Sequence, residues 1–475
     1  MNTVVMIAYD FPPEGNAGAY RPLRFVRHLP NFGWTPTVIS AIPSQYERYD
    51  PALLRMVPNE IEVIRVKASD LWQAFQTWRS RRVRGSSPLA TGEKAEELAN
   101  GEHSSLRARW REIVRVTEAW WYHPDMAGPW INSAVNATTE VCLRNRVSVI
   151  WATAGPVTSF YVAQLASRKT EVPYVLDFRD SWTITHNEFE ARRPFWAIRR
   201  DRRRMFELLH DAQAVIFRYD DEAECYWRAY PGALDASRIH IIPNGYESPI
   251  EEFALPAGDK CLILYGGTLP DYRYDTLLKS LSVLKETDPS RAKQLRLLFV
   301  GEGMSALANE TAALGLTDII ETTGRKSYSE ITCLQREAHA LLVLGRPATM
   351  KGYELFAGAK LFGYLKAGRP IVGVLPPDET KKILHRVGVR TVADVDSVSE
   401  ITTVLCDVLD NWCKGTLSSL VPDRKACEAY SSERQTAALM RALDGLPADE
   451  AFVPGTYDIP PSLRDTIGPN GWLDN

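Results

Sequence analysis

"TVVMIAYDFPPEGNAGAYRPLRFVRHLPNFGWTPTVIS", residues 3–40, decides the fold. Residues 3–9 form an apolar run, the pattern of a strand covered on both faces in a parallel sheet. A loop with Gly15 and Gly18 follows, then helical apolar spacing from Arg21 to Leu29, then Gly33 and a second apolar run, Pro36–Ser40. That is a βαβ unit. Further strand-like runs fall at 60–66, 147–153, 173–178, 212–217 and 238–243, with helical stretches between most of them. A second series of the same kind follows a junction near 245–258. It has a strand at 261–267, a helix at 274–286, a strand running into a glycine loop at 295–303 and a helix at 304–314. "IIETTG", "AHALLVL", "RPIVGVL" and "TVADV" continue it. Such alternation predicts an α/β protein with doubly wound parallel sheets.

Composition bounds the function. A chain of 475 residues with 45% apolar content can bury large cores, and its net charge of −3 gives no global electrostatic case for nucleic acid. The seven cysteines (142, 225, 261, 333, 406, 413 and 427) are scattered, odd in number and without a CxxC pair. This fits a reducing cytosol without a disulfide framework or zinc site. The eight histidines show no ligand spacing, so no metal is expected. The N-terminus lacks a basic region followed by an apolar one, and no apolar run approaches the roughly 18 residues that span a bilayer. A cytoplasmic location is expected, soluble or peripheral at the inner face of the membrane.

Chemistry-bearing stretches recur at strand ends. Gly15 and Gly18 follow the first strand, where glycines let backbone N–H groups approach a phosphate or simply make a tight turn. The order is not GxGxxG, so a dinucleotide fingerprint fails. "ILYGGTLPDYRYD" (263–275) and "LLFVGEGM" (297–304) are further strand-to-glycine loops. The first carries Arg273, a fork-shaped donor suited to phosphate or a plain surface arginine. "DFRDSW" (177–182) crowds Asp177, Arg179 and Asp180 at a strand end, as a site or a salt-bridged turn. Residues 192–204 hold seven arginines in thirteen positions among Phe195, Trp196 and Ile198. That stretch reads as a helix with a solvated basic face or as one lying on anionic lipid.

Taken together these stretches resemble the retaining glycosyltransferases of family four. The resemblance is carried by "YDFPPEGNAGAYRPLRFVRHLPNFGW", "HPDMAGPWI" (123–131), "ATAGPVTSFYVAQLASRKTEVPYVLDFRDSW" (152–182), "IIPNGYE" (241–247), "LYGGTLPDYRYDTLLKSL" (264–281), "LLFVGEGM" and "AKLFGYLKAGRPIVG" (359–373). It implies a GT-B fold, two Rossmann-like doubly wound domains facing across a cleft. The N-terminal acceptor domain would be 1–250, and the polar insertion at 79–112 would be a solvated loop or one that closes over an acceptor. The nucleotide-sugar domain would be 251–430, with a crossing helix at 431–445 and a tail at 446–475.

The resemblance also implies a reaction and its residues. A sugar would pass with retained configuration from a nucleotide-diphospho-sugar to a glycan or lipid-linked acceptor, without cofactor, metal or nucleic acid, in cell-surface polysaccharide or glycoconjugate biosynthesis. An anionic membrane surface is a candidate partner, with Trp120, Trp121 and Tyr122 assisting Arg192–Arg204. The donor would lie against Gly15 and Gly18, Gly267 and Thr268, Arg273, Gly301, Glu302 and Gly303, Arg325, and the helix start Gly358, Ala359, Lys360 and Leu361. Arg179, Asp180 and Glu354 are the candidate catalytic residues. In this family the second glutamate of an E-x7-E pair typically holds the donor's ribose hydroxyls. Gly363 stands at that second position here, and Leu355, beside Glu354, stands at the first. Two alternatives stay open: a nucleotide-sugar 2-epimerase, and a nucleotide-sugar-binding protein with degraded activity.

Overall fold

The computed structural model describes residues 2–46, 48–68, 123–184, 194–247, 249–250, 254–347, 352–464 and 467. The insertion at 79–112 lies outside them, as do Trp120, Trp121, Tyr122, Arg192 and Arg193. Two compact units form, Met1–Ile242 with Thr436–Asp458, and Pro243–Gln435 with Ile459–Asp465. The first boundary precedes residue 250 because Ile242 is still buried in the first unit's core.

In the first unit, β1 (Asn2–Ile7), β2 (Trp34–Ala41), β3 (Glu62–Val66), β4 (Val149–Thr153), β5 (Tyr174–Asp177), β6 (Ala214–Phe217) and β7 (Ile239–Ile241) form one sheet. The order is β3-β2-β1-β4-β5-β6-β7, and every pairing is parallel. Val5 lies opposite Thr37 on one side and Ile150 on the other. Val4 to Ile7 and Val149 to Ala152 have no exposed surface, which is why these strands read as unbroken apolar runs. The connections carry α1 (Tyr20–His28), α2 (Ile131–Arg144), α3 (Thr158–Thr170), α4 (Phe195–Asp211) and α5 (Asp220–Ala229).

The second unit repeats the plan. Its strands are β8 (Cys261–Gly266), β9 (Leu295–Val300), β10 (Ile320–Thr323), β11 (Ala340–Leu344), β12 (Ile371–Leu375) and β13 (Val392–Asp394), in the parallel order β10-β9-β8-β11-β12-β13. Its helices include α6 (Asp275–Thr287), α7 (Ser305–Ala313), α8 (Tyr328–Glu337), α9 (Ala359–Ala367), α10 (Glu379–Arg386) and α11 (Val398–Cys413). Helix α9 ends at Gly368, whose φ of 59° is left-handed, and Pro370 blocks its continuation. In each sheet the strand order reverses beside the unit's first strand, between β1 and β4 and between β8 and β11. In open α/β sheets ligands collect beyond the strand ends at that switch.

Helix α12 (Ser432–Leu443) returns the chain to the first unit, where Leu439, Ala442 and Leu443 enter its core. Of the stretch expected as a tail, 446–475, the residues described up to 464 make specific contacts. In the first unit Gly455 N–H donates to Glu224 at 2.9 Å, and Arg228 donates to the Tyr457 carbonyl at 3.0 Å. The next residues, from Ile459, join the second unit, where Leu463 is fully buried.

One ion pair fixes the strand ends of the first unit. Arg21 on α1 and Asp177 at the end of β5 are 1% and 0% exposed. Arg21 Nη2 donates to Asp177 at 2.7 Å and Nε at 2.9 Å, while Thr153 Oγ1 donates to the same carboxylate at 2.9 Å. Nη2 also reaches the Ile242 carbonyl at 2.9 Å. Within "DFRDSW", therefore, Asp177 belongs to a structural salt bridge. Removing one partner of a buried pair strands the other charge, at a cost of about 3–5 kcal/mol. Arg21→Met should lower unfolding free energy by that amount in chemical denaturation, and Arg21→Met/Asp177→Leu should recover most of it. A single variant as stable as the parent would show the pair is not structural.

Candidate functional site

At the order switch of the second unit, the loops after β8 and β11 and the start of α9 bring two cations together. Lys360, in the first turn of α9, lies 4.4 Å from the Tyr265 ring centroid and 4.6 Å from that of Tyr272. Its Nζ donates to Tyr265 Oη at 2.9 Å and to the Thr268 carbonyl at 3.4 Å. Gly267 makes the approach possible. A Cβ there would stand 2.1 Å from Lys360 Cε and 2.2 Å from Nζ, and its φ of 136° excludes most side chains anyway. Gly301 is packed against the Gly267 carbonyl for the same reason of space.

The second cation is Arg346, just past the end of β11. Its guanidinium lies 3.8 Å from the Phe356 ring centroid, and its buried Nε has no hydrogen-bond partner among the described residues. Arg346 and Lys360 feel each other. Burial pushes the Lys360 ammonium down to about 8, Asp271 opposing and Arg346 adding to the fall. Neither cation has a carboxylate ion-pair partner among the described residues. A half-buried pair of like charges is unfavourable unless an anion completes it. The arrangement suits a diphosphate.

The other expected donor contacts divide. Arg273 does not join Lys360: its guanidinium pairs with Asp275 at 3.2 Å and with Asp396. Arg346 has no such competitor, and its place after a strand and Gly345 was the signal that sequence reading passed over. Glu302 and Arg325 pair with each other at 3.2 Å on the surface. Gly303 is packed against Pro270. Gly358 is the N-cap of α9, and its carbonyl accepts from the Leu361 N–H at 3.1 Å, so that amide is engaged. The Leu361 side chain is buried in the core, and Ala359 opens the helix. Gly363 is exposed, and a Cβ on it would meet nothing within 4 Å. Glu354 is only 6% exposed, and both its oxygens accept from Ser462.

In the first unit the glycine loop does not form a phosphate cradle. The Gly15 N–H donates to the Arg48 carbonyl at 2.8 Å, and the Gly18 N–H to Asn16 Oδ1 at 2.8 Å. Both amides are engaged. Gly18 and Gly155 instead make room for the Arg179 guanidinium, which a Cβ would meet at 1.5 and 1.9 Å. Arg179 Nε donates to the Ala154 carbonyl at 2.9 Å, and Nη2 lies 3.4 Å from Asp10 Oδ2. Asp180 is mostly exposed, 3.5 Å from Arg179 Nε. Asp10 was not foreseen. Burial raises its carboxyl to about 6, with Arg179 pulling the other way. The result is a mixed-charge cluster at the ends of β1, β4 and β5, able to bind hydroxyl groups.

No protein-family model matches the chain, and no curated protein matches it. Solved structures do. Sucrose-phosphate synthase from Thermosynechococcus elongatus superposes with a TM-score of 0.57 at 12% identity, over 93% of this chain and 98% of its own. A glycosyltransferase from Rickettsia africae ESF-5 gives 0.57 at 12% identity, over 94% and 98%. A mutant of TarM from S. aureus, in complex with Fondaparinux, alpha-GlcNAc-glycerol and UDP, gives 0.54 at 8% identity, over 94% and 100%. At such identities the likeness establishes the fold. The chain has the two-domain GT-B architecture.

If an anion meets Lys360, the depressed ammonium gives its binding a pH dependence of defined direction. An ordinary lysine, at 10.5, stays charged throughout the range where Lys360 loses its proton, whereas arginine stays charged at every pH used. The ratio of wild-type to Lys360→Arg affinity for inorganic pyrophosphate should therefore fall as pH rises from about 7 to about 9.5, bracketing that titration. Calorimetry across that range measures it. A flat ratio would mean that Lys360 does not meet the anion.

Proposed function

We propose that the chain is a glycosyltransferase that takes its sugar from a nucleotide-diphospho-sugar. The observation that carries this reading is the Lys360–Arg346 pair, at the ligand-binding switch of a GT-B unit. The two cations repel each other and have no carboxylate at ion-pair distance among the described residues, Asp271 acting on Lys360 only from further off. Leaving-group charge builds on the diphosphate as the glycosidic bond breaks, and preoriented cations stabilise it at that moment. Lys360 is held by two tyrosine faces and a hydroxyl, Arg346 by the Phe356 ring, so neither needs to reorganise. The likeness to a UDP-bound neighbour supports a nucleotide donor.

The acceptor would lie on the first unit. Arg179, Asp180 and Asp10 are the groups we assign to its hydroxyls, while retention of configuration rests on the family resemblance. A glycan or lipid-linked acceptor, in polysaccharide or glycoconjugate synthesis at the cytoplasmic face of a membrane, accords with helix α4. Phe195 and Trp196 are 68% and 42% exposed there, and the Arg200 guanidinium lies 5.4 Å from the Trp196 ring centroid. No described helix is long and apolar enough to cross a membrane.

Two experiments test this reading. Calorimetry against UDP-, GDP-, ADP- and dTDP-sugars should find a donor whose affinity falls about 10- to 150-fold in Lys360→Met and in Arg346→Met, since a charged hydrogen bond contributes about 1.5–3 kcal/mol. Arg273→Ala should leave affinity unchanged. Equal binding in both cation variants would remove the donor from this loop, and donor turnover without any acceptor would point to a 2-epimerase. Sedimentation with anionic liposomes at low salt should carry the protein down, each basic residue contributing about 1 kcal/mol. Protein left in the supernatant would make α4 a solvated face.

A further inference from the structure

Three residues, each one helical turn from the next, clasp three successive residues of the loop after β5. Glu222 and Tyr226 on α5 and Tyr230 at its C-cap share one face of the helix, and none has exposed surface. The Ser181 hydroxyl donates to the Glu222 carboxylate, which also pairs with Arg218 at 2.9 Å. Tyr226 Oη accepts from the Trp182 N–H at 2.8 Å and donates to the Trp182 carbonyl. Tyr230 Oη donates to Thr183 Oγ1 at 2.6 Å, and the Thr183 hydroxyl donates in turn to the Trp182 carbonyl at 2.5 Å.

The backbone at the end of this clasp is strained. Thr183 has a φ of 70°, in the left-handed region, where a β-branched residue is an outlier. Among the described residues one other non-glycine residue has a positive φ, Glu171, and it ends α3 as an ordinary helix cap. Thr183 is buried and ends no helix. Such a conformation persists only where the surroundings over-determine it. Here the surroundings are the hydroxyls of Tyr226 and Tyr230. The clasp also fixes what precedes it. Arg179 and Asp180 are suspended between two anchored points, with Asp177 paired to Arg21 and the Phe178 N–H donating to the Ile216 carbonyl at 2.8 Å on one side, and Ser181–Thr183 on the other. That path sets Arg179 Nη2 3.4 Å from Asp10 Oδ2.

Building on the reading of Arg179, Asp180 and Asp10 as the groups that meet the acceptor, we propose that Tyr226 and Tyr230 are positioning residues, which hold Thr183 in its left-handed turn and thereby keep Arg179 against Asp10. The charges of the site are then in place before an acceptor arrives, and binding does not have to order the loop. The strained threonine is the point where the clasp acts. A glycine there would take the same turn without being held.

The titration of Asp10 reads the position of Arg179 without any substrate. Its carboxyl, at about 6, is held down by Arg179, and the other groups that bear on it are Asn16 and Glu14 in its own loop, Tyr9 beside it and Tyr46 after β2, none of them part of the clasp. Carbon NMR of protein labelled at its aspartate carboxyls follows it, with Asp10→Asn assigning the signal. In Tyr230→Phe, which removes one hydroxyl, the midpoint should move up towards that of Arg179→Met, since losing a nearby cation favours the protonated acid. Tyr226→Phe should act in the same direction. Tyr230→Phe/Thr183→Gly should bring the midpoint back. A hydroxyl that merely satisfied its neighbours would not be replaced by a glycine that removes a second hydroxyl. A midpoint unchanged in both Tyr→Phe variants, or raised in Tyr230→Phe and not restored by the glycine, would overturn the proposal. Calorimetry of the wild type with UDP-, GDP-, ADP- and dTDP-sugars tests the underlying reading separately. If none binds, the glycosyltransferase reading falls, while the titration still decides the clasp.

Discussion

The first unit depends on a guanidinium and a carboxylate that have almost no contact with water. Arg21 and Asp177 join helix α1 to the end of β5, and through Thr153 and the Ile242 carbonyl they also hold the end of β4 and the residue after β7. Parallel strands in this order send all their carboxyl ends to one side, where backbone carbonyls and loop charges would otherwise splay. A bidentate pair buried among those ends sets their spacing, and the charges stay paired because burial makes separation costly. Asp10, Gly155 and Arg179 lie on the loops that begin there. Their mutual distances are consequences of that anchor.

The second unit uses charge in the opposite way. Lys360 and Arg346 sit on aromatic faces, beside hydroxyls and carbonyls, with no carboxylate at ion-pair distance among the described residues, though the Asp271 charge partly offsets the burial of Lys360. Aromatic quadrupoles and a hydroxyl soften the cost of holding such charges, and leave their strongest interaction for a ligand. Where an arginine of the same unit does have acidic neighbours, as Arg273 has Asp275 and Asp396, it is already neutralised. The contrast separates an arginine without an ion-paired carboxylate from one that already has two. Arg273 and Arg346 are the same residue type after similar glycine-bearing strand ends.

Much of this was legible in the sequence. The strands, their buried character and the two parallel sheets follow from apolar runs and helical spacing, which are local. Lys360 was named from the family resemblance, and the fold sets it against Tyr265, Tyr272 and the Thr268 carbonyl. Gly267 and Gly301 were recognised as loop glycines, and the fold uses the space they leave around Lys360 and around one another. Gly15 and Gly18 look the same in sequence, yet their amides are engaged by Arg48 and Asn16, and Gly18 admits an arginine.

The sequence by itself determined the elements, their alternation, the turns that end them and the charges available at each strand end. These rest on periods of two and 3.6 residues and on backbone preferences that span a few positions. Only the tertiary structure decided which charges meet. Asp177 found Arg21 at a separation of 156 residues, and Glu354 found Ser462 at 108. No local pattern encodes such partners. They are set by strand order, which fixes which loops are neighbours, and by burial, which obliges each polar group there to find a partner.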